Sequence, residues 1–525
     1  MKAPSFDPIE IELFKNIFVS ISEEMGAVLG RTALSPNIKE RKDFSCAIFN
    51  KKGETFAQGS HIPVHLGAMP LSVQEALKTH EFEDGDIIIL NDPYRGGTHL
   101  PDLTCISPVF IEKKLEFFVA NRAHHSDIGG MSPGSMPLAT EIFQEGLIIP
   151  PVKLYQKGHL NSAVFDMILA NVRTPDERKG DLLAQVAANR KGEQRMIDTV
   201  RKHGIRKITI YGRFIQEYAE KILRQTILDI PDGSYTFVDF LDDDGITNKP
   251  IKIAVKITIR KSEAHIDFSS SDPQTEGGVN ANYAVTSSAV LYVFRSLIKE
   301  DIPFNTGLLK PLDIIAPRGS IVNAQYPAAT AGGNVETSQR IVDVLLGALA
   351  KAMPGKIPAA SSGTMNNIAF GGYDRIRKKS FAYYETVGGG MGATSKLDGL
   401  SGVHTHMTNS LNTPLEALEN YLPIRITTYA LRRGSGGSGH RKGGDGIIRE
   451  YEFLEPAQVS IISERRKFAP YGILGGQNGR KGRNILISSS TNKKTLLGGK
   501  ANFKIQPHDR LRIETPGGGG YGEKK

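Results

Sequence analysis

Apolar residues spaced three and four apart open the chain. Phe14, Ile17, Phe18, Ile21, Met25, Val28 and Leu29 form one stripe and predict a long amphipathic helix. Residues 41–49 then read as a strand ending in the turn Asn50-Lys51-Lys52-Gly53. From about residue 80 to 150 the pattern is mainly that of strands. The run Ile87-Ile88-Ile89-Leu90 stops at Asn91-Asp92-Pro93, as a buried strand does on meeting a loop. Helical periodicity returns over 181–203, closed by Gly204, and over 208–228, which runs into Pro231-Asp232-Gly233. Residues 235–241 and 251–259 read as a hairpin around Asp242-Asp243-Asp244-Gly245, with a further strand at 264–268. Two more helices are predicted at 284–299 and 336–352, the second with Ile341, Val344, Leu345, Ala348 and Leu349 on one face. The rest is strands and glycine loops, ending in Thr515-Pro516-Gly517-Gly518-Gly519-Gly520-Tyr521-Gly522. This order predicts an α+β, multi-domain protein of mixed and antiparallel sheets with packed helices. Shifts in pattern divide it into an N-terminal α+β region (1–230), a central α+β region (231–400) and a β- and glycine-rich C-terminal region (401–525).

At 525 residues the chain exceeds one compact core. Hydrophobic residues at 39% and charged residues at 23% are globular values and exclude wholesale disorder. Glycine, 55 of 525 residues, exceeds its usual share of about 7% without a Gly-X-Y period. It reads as tight turns and ligand-contacting loops. Lysine and arginine (65) exceed aspartate and glutamate (56) by 9, spread along the chain. That permits anionic substrates and supplies no concentrated basic face for nucleic acid. Two cysteines, Cys46 and Cys105, exclude a disulfide framework and, in apolar strand contexts, read as packed residues. The start, Met1-Lys2-Ala3-Pro4, has no secretory pattern, and no apolar run approaches the ~20 residues that span a bilayer. The expectation is a soluble, cytoplasmic protein without nucleic-acid or membrane partners.

The richest polar stretch runs from Asn91 to Asp102 and includes Gly96-Gly97-Thr98-His99. Twenty-two residues after Asp102 comes His124-His125-Ser126-Asp127-Ile128-Gly129-Gly130. Between them, 103–110 and 115–121 are β-prone and 111–114 is a polar break, which is a hairpin pattern. The start of the first strand and the end of the second then lie side by side, about 4.8 Å apart. This gathers His99 and Asp102 with His124, His125 and Asp127. Imidazole nitrogens with carboxylate oxygens and no thiolate suit zinc, manganese or ferrous iron. Glu40 or Asp43, just before the strand carrying Cys46, could supply a fourth ligand. His61 and His65 bracket Pro63 and read as pocket-lining or structural residues. In His404-Thr405-His406 an extended chain would put two imidazoles on one face, as a substrate wall or an acid/base supply. The glycine-rich, basic segment 434–446 could hold a phosphate, although no strand–loop–helix frame surrounds it. Walker-type nucleotide signatures are absent from the sequence.

These motifs resemble the hydantoinase B/oxoprolinase family over nearly the whole length. The resemblance rests on Glu40-Arg41-Lys42-Asp43-Phe44-Ser45-Cys46-Ala47, on the segment from His61 to Met69, and on the clusters around His99 and His124. It continues through Gly333-Asn334-Val335-Glu336-Thr337-Ser338-Gln339-Arg340, His404-Thr405-His406-Met407-Thr408-Asn409 and the two glycine-rich stretches. The resemblance implies the B-type catalytic part of an ATP-dependent hetero-oligomer. A hydantoinase A-type partner, as a separate chain or fused domain, would bind ATP and phosphorylate the substrate carbonyl. The B-type part would use a divalent metal to activate water against a cyclic amide such as 5-oxoproline, a hydantoin or a lactam. The family's ligands fall on His99, Asp102, His124 and, by the same resemblance, Glu40. His125 and Asp127 become candidates for general base or for orienting the ligands. His61, His65, His404 and His406 are the candidate substrate-binding residues. The family also implies two alternatives: a B-type subunit of an acetone- or acetophenone-type carboxylase, and a non-catalytic structural partner.

Overall fold

The computed structural model of the chain describes residues 7–59 and 61–524. Met1, Lys2, Ala3 and Pro4, read above for a leader, lie outside the described residues. The N-terminal region runs α1 (Pro8–Thr32), α2 (Pro36–Lys39), β1 (Phe44–Asn50), β2 (Thr55–Gln58), α3 (Ala68–Thr79), β3 (Ile87–Leu90), β4 (Asp102–Ile111) and β5 (Lys114–His124). It continues with β6 (Val152–Gln156), β7 (His159–Leu160), α4 (Ser162–Ala170), α5 (Pro175–His203) and α6 (Ile205–Leu228). The strands make one antiparallel sheet in the order β2-β1-β5-β4-β3-β6-β7. Along β1 the side chains alternate between two cores. Cys46 and Ile48 pack with Phe14, Phe18 and Met25 of α1 and Ala184 of α5, whereas Ala47 and Phe49 pack with Met69 and Val73 of α3. Burial on both faces explains why these strands read as apolar runs.

The predicted hairpin is β4–β5. Its two loop residues, Glu112 (φ 49°) and Lys113 (φ 65°), are both left-handed, the type I′ geometry that matches strand twist. The sequence pattern does not announce α2, α3, α4 or the later helix α9 (Leu415–Tyr421). Each is short or carries a proline in its first turn, which masks the helical period (α3 holds Pro70). The predicted helix at 181–203 begins earlier, on Pro175 at its first turn.

The central region holds β8 (Gly233–Leu241), β9 (Ile251–Arg260), β10 (Glu263–Asp267), α7 (Tyr283–Ser296), β11 (Leu312–Ile315) and α8 (Ser338–Ala352). Its sheet, β11-β10-β9-β8, has one parallel pair, β10 with β11. The chain continues with β12 (Asn367–Asp374) and β13 (Lys379–Glu385), and then with α9 (Leu415–Tyr421), β14 (Ile424–Arg432), β15 (Gly446–Phe453) and β16 (Ala457–Ile462). It ends with β17 (Arg483–Ile487), β18 (Lys494–Leu497), β19 (Lys500–Ile505) and β20 (Arg510–Glu514). Two further sheets, β13-β12-β16-β19 and β14-β15-β20-β17-β18, share a core that includes Phe370, Tyr383, Tyr451 and Phe453. The protein is therefore α+β, with several mixed and antiparallel sheets.

Buried charge ties the regions together. The Arg41 guanidinium donates to the Tyr384 (3.1 Å) and Leu411 (3.2 Å) carbonyls and to the Thr386 and Ser410 hydroxyls. Arg465 pairs with Asp239 and Asp343 across the second boundary. Among the described residues no helix is long and apolar enough to cross a membrane.

The C-terminal glycines correct the expectation of ligand-contacting loops, because they let backbones touch. A Cβ on Gly518 would lie 2.1 Å from the Met391 oxygen, and one on Gly443 would lie 2.1 Å from the Gly518 oxygen. In segment 434–446 the amides of Gly437, His440, Arg441 and Gly444 donate to backbone carbonyls of Gly518, Gly522, Tyr521 and Met391. Those four amides are engaged with backbone carbonyls and so are not free to hold a phosphate.

Candidate metal centre

Strand pairing builds the centre. Asp102 at the start of β4 faces His124 at the end of β5, and Phe44 of β1 faces Ala123. Asp43 therefore stands on the other side of His124, whose amide donates to the Asp43 carbonyl at 3.0 Å. Side chains across neighbouring strands share a face, so Asp43, His124 and Asp102 form a row across the sheet end. His99 joins from the loop before β4 through a tight turn closed by the Asp102 amide on the His99 carbonyl (3.1 Å).

His99 Nε2, His124 Nδ1 and Asp102 Oδ1 lie at the corners of a triangle with sides of 3.1, 3.1 and 3.2 Å. Donors that share one cation at about 2.0–2.2 Å have such separations. The three residues are 1%, 3% and 1% exposed, in the order His99, His124, Asp102. The outward nitrogens, His99 Nδ1 and His124 Nε2, are buried without a hydrogen-bond partner. Two imidazoles and a carboxylate without thiolate are a donor set for zinc, manganese or ferrous iron, so the residues fit a divalent cation.

The neighbours prepare this set. Asp102 keeps Oδ1 for the imidazoles because Thr98 Oγ1 (2.5 Å) and His65 Nε2 (3.3 Å) engage Oδ2. His65 is in turn held by Ser45 Oγ at 2.9 Å. Burial alone would raise the Asp102 pKa, but His99, His65 and the His124 hydrogen bond outweigh it and hold the carboxyl well below its ordinary value. Burial lowers the His124 pKa against the pull of Asp102 and Asp43, favouring the neutral ring that ligates metals. Arg122 lies fully buried behind the row, donating to Thr104 (2.8 Å) and Ser72 (2.7 Å); burial pushes its pKa down to about 10. Glu145, buried and bonded by the Thr330 and Ala331 amides, has its pKa raised by burial to about 7, with His99 among the groups that oppose the rise.

The other sequence candidates divide. His65 reaches the centre by orienting Asp102. His125 points away from it: the next residue along an extended chain faces oppositely, and its Nε2 meets Gln185 of α5 at 2.9 Å. Asp127 accepts from Gly129, Gly134 and Arg173 and so organises the following loop. Their hydrogen bonds run to these partners and not to the donor triangle. Glu40 caps α2, half-buried, and neither it nor Asp43 is among the converging donors; Asp43 adjoins His124 through the backbone, and its carboxylate lies 3.7 Å from the Arg41 guanidinium. His61 accepts from the Cys46 amide at 3.2 Å and packs on Phe44. The His404–His406 segment is tied to α8 by Gln339 Nε2 on the Thr405 carbonyl (3.0 Å) and to the His61–His65 segment by the Val64 amide on Met407. His404 and His406 both have a buried Nε2 without a partner. Burial, helped by Arg41, lowers the His404 pKa to about 4. Sequence reasoning gave no role to Thr98, Arg122 or Tyr384, whose ring stacks on His124 at 4.4 Å. Only the adjacency of Thr98 to His99 was visible as a signal.

A buried two-histidine, one-aspartate cluster on antiparallel strand ends defines an α+β protein with a candidate cation centre. The chain belongs to the hydantoinase B/oxoprolinase family, whose profile matches residues 7–524. It is 40% identical to 5-oxoprolinase 1 of Arabidopsis thaliana over 98% of this chain, and it spans 42% of the plant enzyme. The ATP-dependent caprolactamase of Pseudomonas jessenii superposes with a TM-score of 0.93 at 28% identity, covering 99% of this chain and 92% of that one. A nucleotide-free acetone carboxylase superposes with a TM-score of 0.90 at 18% identity, covering 98% and 76%; at that identity the likeness is one of fold.

Proposed function

We propose that this chain is the B-type catalytic part of an ATP-dependent enzyme that opens a cyclic amide of the 5-oxoproline, hydantoin or lactam kind. The observation that carries this reading is the buried donor triangle of His99, Asp102 and His124 in a chain of this family. A zinc, manganese or ferrous ion bound there supplies Lewis acidity and makes nearby water easier to deprotonate. Asp102 offers Oδ1 while Thr98 and His65 hold Oδ2, and His99 and His124 offer one nitrogen each. Asp43, by its place in the row, is the carboxylate to complete the set in preference to Glu40.

A lactam carbonyl is a weak electrophile because of amide resonance. Phosphorylation of its oxygen by a hydantoinase A-type partner, at the cost of ATP, removes that resonance. Water then adds to the carbon, the carbon–nitrogen bond breaks with the ring nitrogen taking up a proton, and the acyl phosphate so formed is hydrolysed by a second water to the carboxylate and inorganic phosphate. His404 and His406 serve substrate binding through their unpartnered Nε2 atoms, and His61 and His65 remain candidates beside them. His125 and Asp127 keep the strand end and its loop in place. The assembly is a cytoplasmic hetero-oligomer.

The test combines this chain with an A-type partner and ATP and follows 5-oxoproline, hydantoin and caprolactam consumption alongside metal content. About one divalent ion per chain is expected, with loss of metal and of turnover in His99→Ala and Asp102→Asn. Full metal occupancy in both variants would refute the centre. The fold shared with acetone carboxylase favours a second reading, ketone carboxylation; bicarbonate-dependent acetone consumption with no lactam turnover would select it.

A further inference from the structure

The motif from Gly333 to Arg340 has no part in the centre as described so far. Its first five residues, Gly333–Thr337, wind as a π-helical turn ahead of α8, a rare geometry found frequently at functional sites. The turn buries Glu336 completely. Its Oε1 accepts from the Met365 amide (3.1 Å) and from Asn367 Nδ2 (2.6 Å). Asn367, the first residue of β12, also donates to the Ile462 carbonyl (2.7 Å), and its Oδ1 accepts the Tyr384 hydroxyl (2.6 Å). Both amide hydrogens and the amide oxygen are therefore used, which fixes the Asn367 side chain and the ring it tethers. Tyr384 lies on His124 with ring centroids 4.4 Å apart and planes 28° apart, and Arg41 sits over the same ring at 5.2 Å. His124 Nε2 has no hydrogen-bond partner, so on that side packing sets the imidazole plane, and the packed surface is Tyr384.

We propose that Tyr384 is a positioning residue of the centre: it sets the plane of His124, and Glu336 holds it in place through Asn367. This rests on the reading of His99, Asp102 and His124 as cation ligands. Ligand orientation by such outer partners governs metal affinity and coordination geometry. Tyr384→Phe removes the tether and keeps the ring. Glu336→Ala removes the acceptor that fixes Asn367. Glu336→Gln retains an acceptor oxygen.

The full-length chain, stripped of metal, is titrated with cobalt(II) and its visible absorption bands and dissociation constant are read, with circular dichroism reporting folding. Tyr384→Phe and Glu336→Ala are expected to shift the cobalt bands and weaken binding about threefold or more, with Glu336→Gln close to wild type. Loss of cobalt binding in His99→Ala, with wild-type bands and affinity in Tyr384→Phe and Glu336→Ala, would overturn this proposal alone. Wild-type cobalt binding in His99→Ala would overturn the metal reading and this proposal with it.

Discussion

Replacing Glu336 by glutamine should flatten the dependence of stability on pH. The carboxyl is fully buried, and burial, reinforced by Glu464, raises its pKa to about 8 against the opposing pull of Lys500 and Arg466. In the folded state it keeps its proton at neutral pH; in the unfolded chain it loses it near the ordinary glutamate value of ~4.3. Between those values the folded state binds more protons, so stability falls as pH rises. The slope reaches about 1.4 kcal/mol per pH unit, and the full span is on the order of 5 kcal/mol. Glutamine accepts the same bonds from Met365 and Asn367 and has no proton to lose. Groups common to both proteins cancel in the difference. The chain has no tryptophan, so urea unfolding is best followed by far-ultraviolet circular dichroism. From about pH 5.5 to about pH 7.5, wild type should lose roughly 2–3 kcal/mol more than Glu336→Gln. Parallel stability–pH curves would refute the reasoning, because they would mean a carboxyl ionised in the folded protein or free to reach water.

Three further outcomes follow from the same contacts. Gly518→Ala drives a Cβ to 2.1 Å from the Met391 oxygen and should cost more than about 2 kcal/mol in unfolding, against about 1 kcal/mol for Gly434→Ala, whose φ of 75° is strained in open space. Equal losses would contradict the backbone-contact account of the glycines. Arg41→Met strips the Tyr384 and Leu411 carbonyls of a buried donor and should cost about 3–5 kcal/mol, read from the urea midpoint. His65→Ala releases Asp102 Oδ2 and should weaken zinc binding about 10-fold by competition with a chelating dye, with unchanged affinity counting against its orienting role.

Local pattern carried much of the fold. The α1 stripe, the β4–β5 hairpin and the helix pair meeting at Gly204 follow from period and punctuation, and the structure has all three. Long-range packing was illegible. Arg41 lies 343 residues from its acceptor at Tyr384, and nothing in the spacing of either residue announces the other. The glycines show the same limit. A glycine that admits a neighbouring backbone and one that admits a ligand look alike in sequence, and only the partner strand, here the segment ending in Gly522, distinguishes them.

The centre itself shows how far strand arithmetic reaches. The hairpin brings residues 99, 102 and 124 together whatever the surrounding fold, because β4 and β5 pair in register with Asp102 opposite His124. Proximity along the chain then misleads for His125, since period two assigns it to the face covered by α5, where Gln185 takes its ring. Asp43 is the converse. It is 81 residues from His124, yet pairing of β1 with β5 places it next in the row. Spacing alone left both Glu40 and Asp43 open, and the family resemblance pointed to Glu40, because the pairing of residues before β1 is not legible in the sequence. Once Phe44 is set opposite Ala123, a carboxylate one residue earlier must stand beside His124, and one four residues earlier lies on the preceding helix. A carboxylate exchange therefore separates the two. Asp43→Asn should lower metal affinity with Glu40→Gln near wild type, and the reverse ranking in a zinc titration would mean that the chain before β1 is arranged differently when the cation is bound.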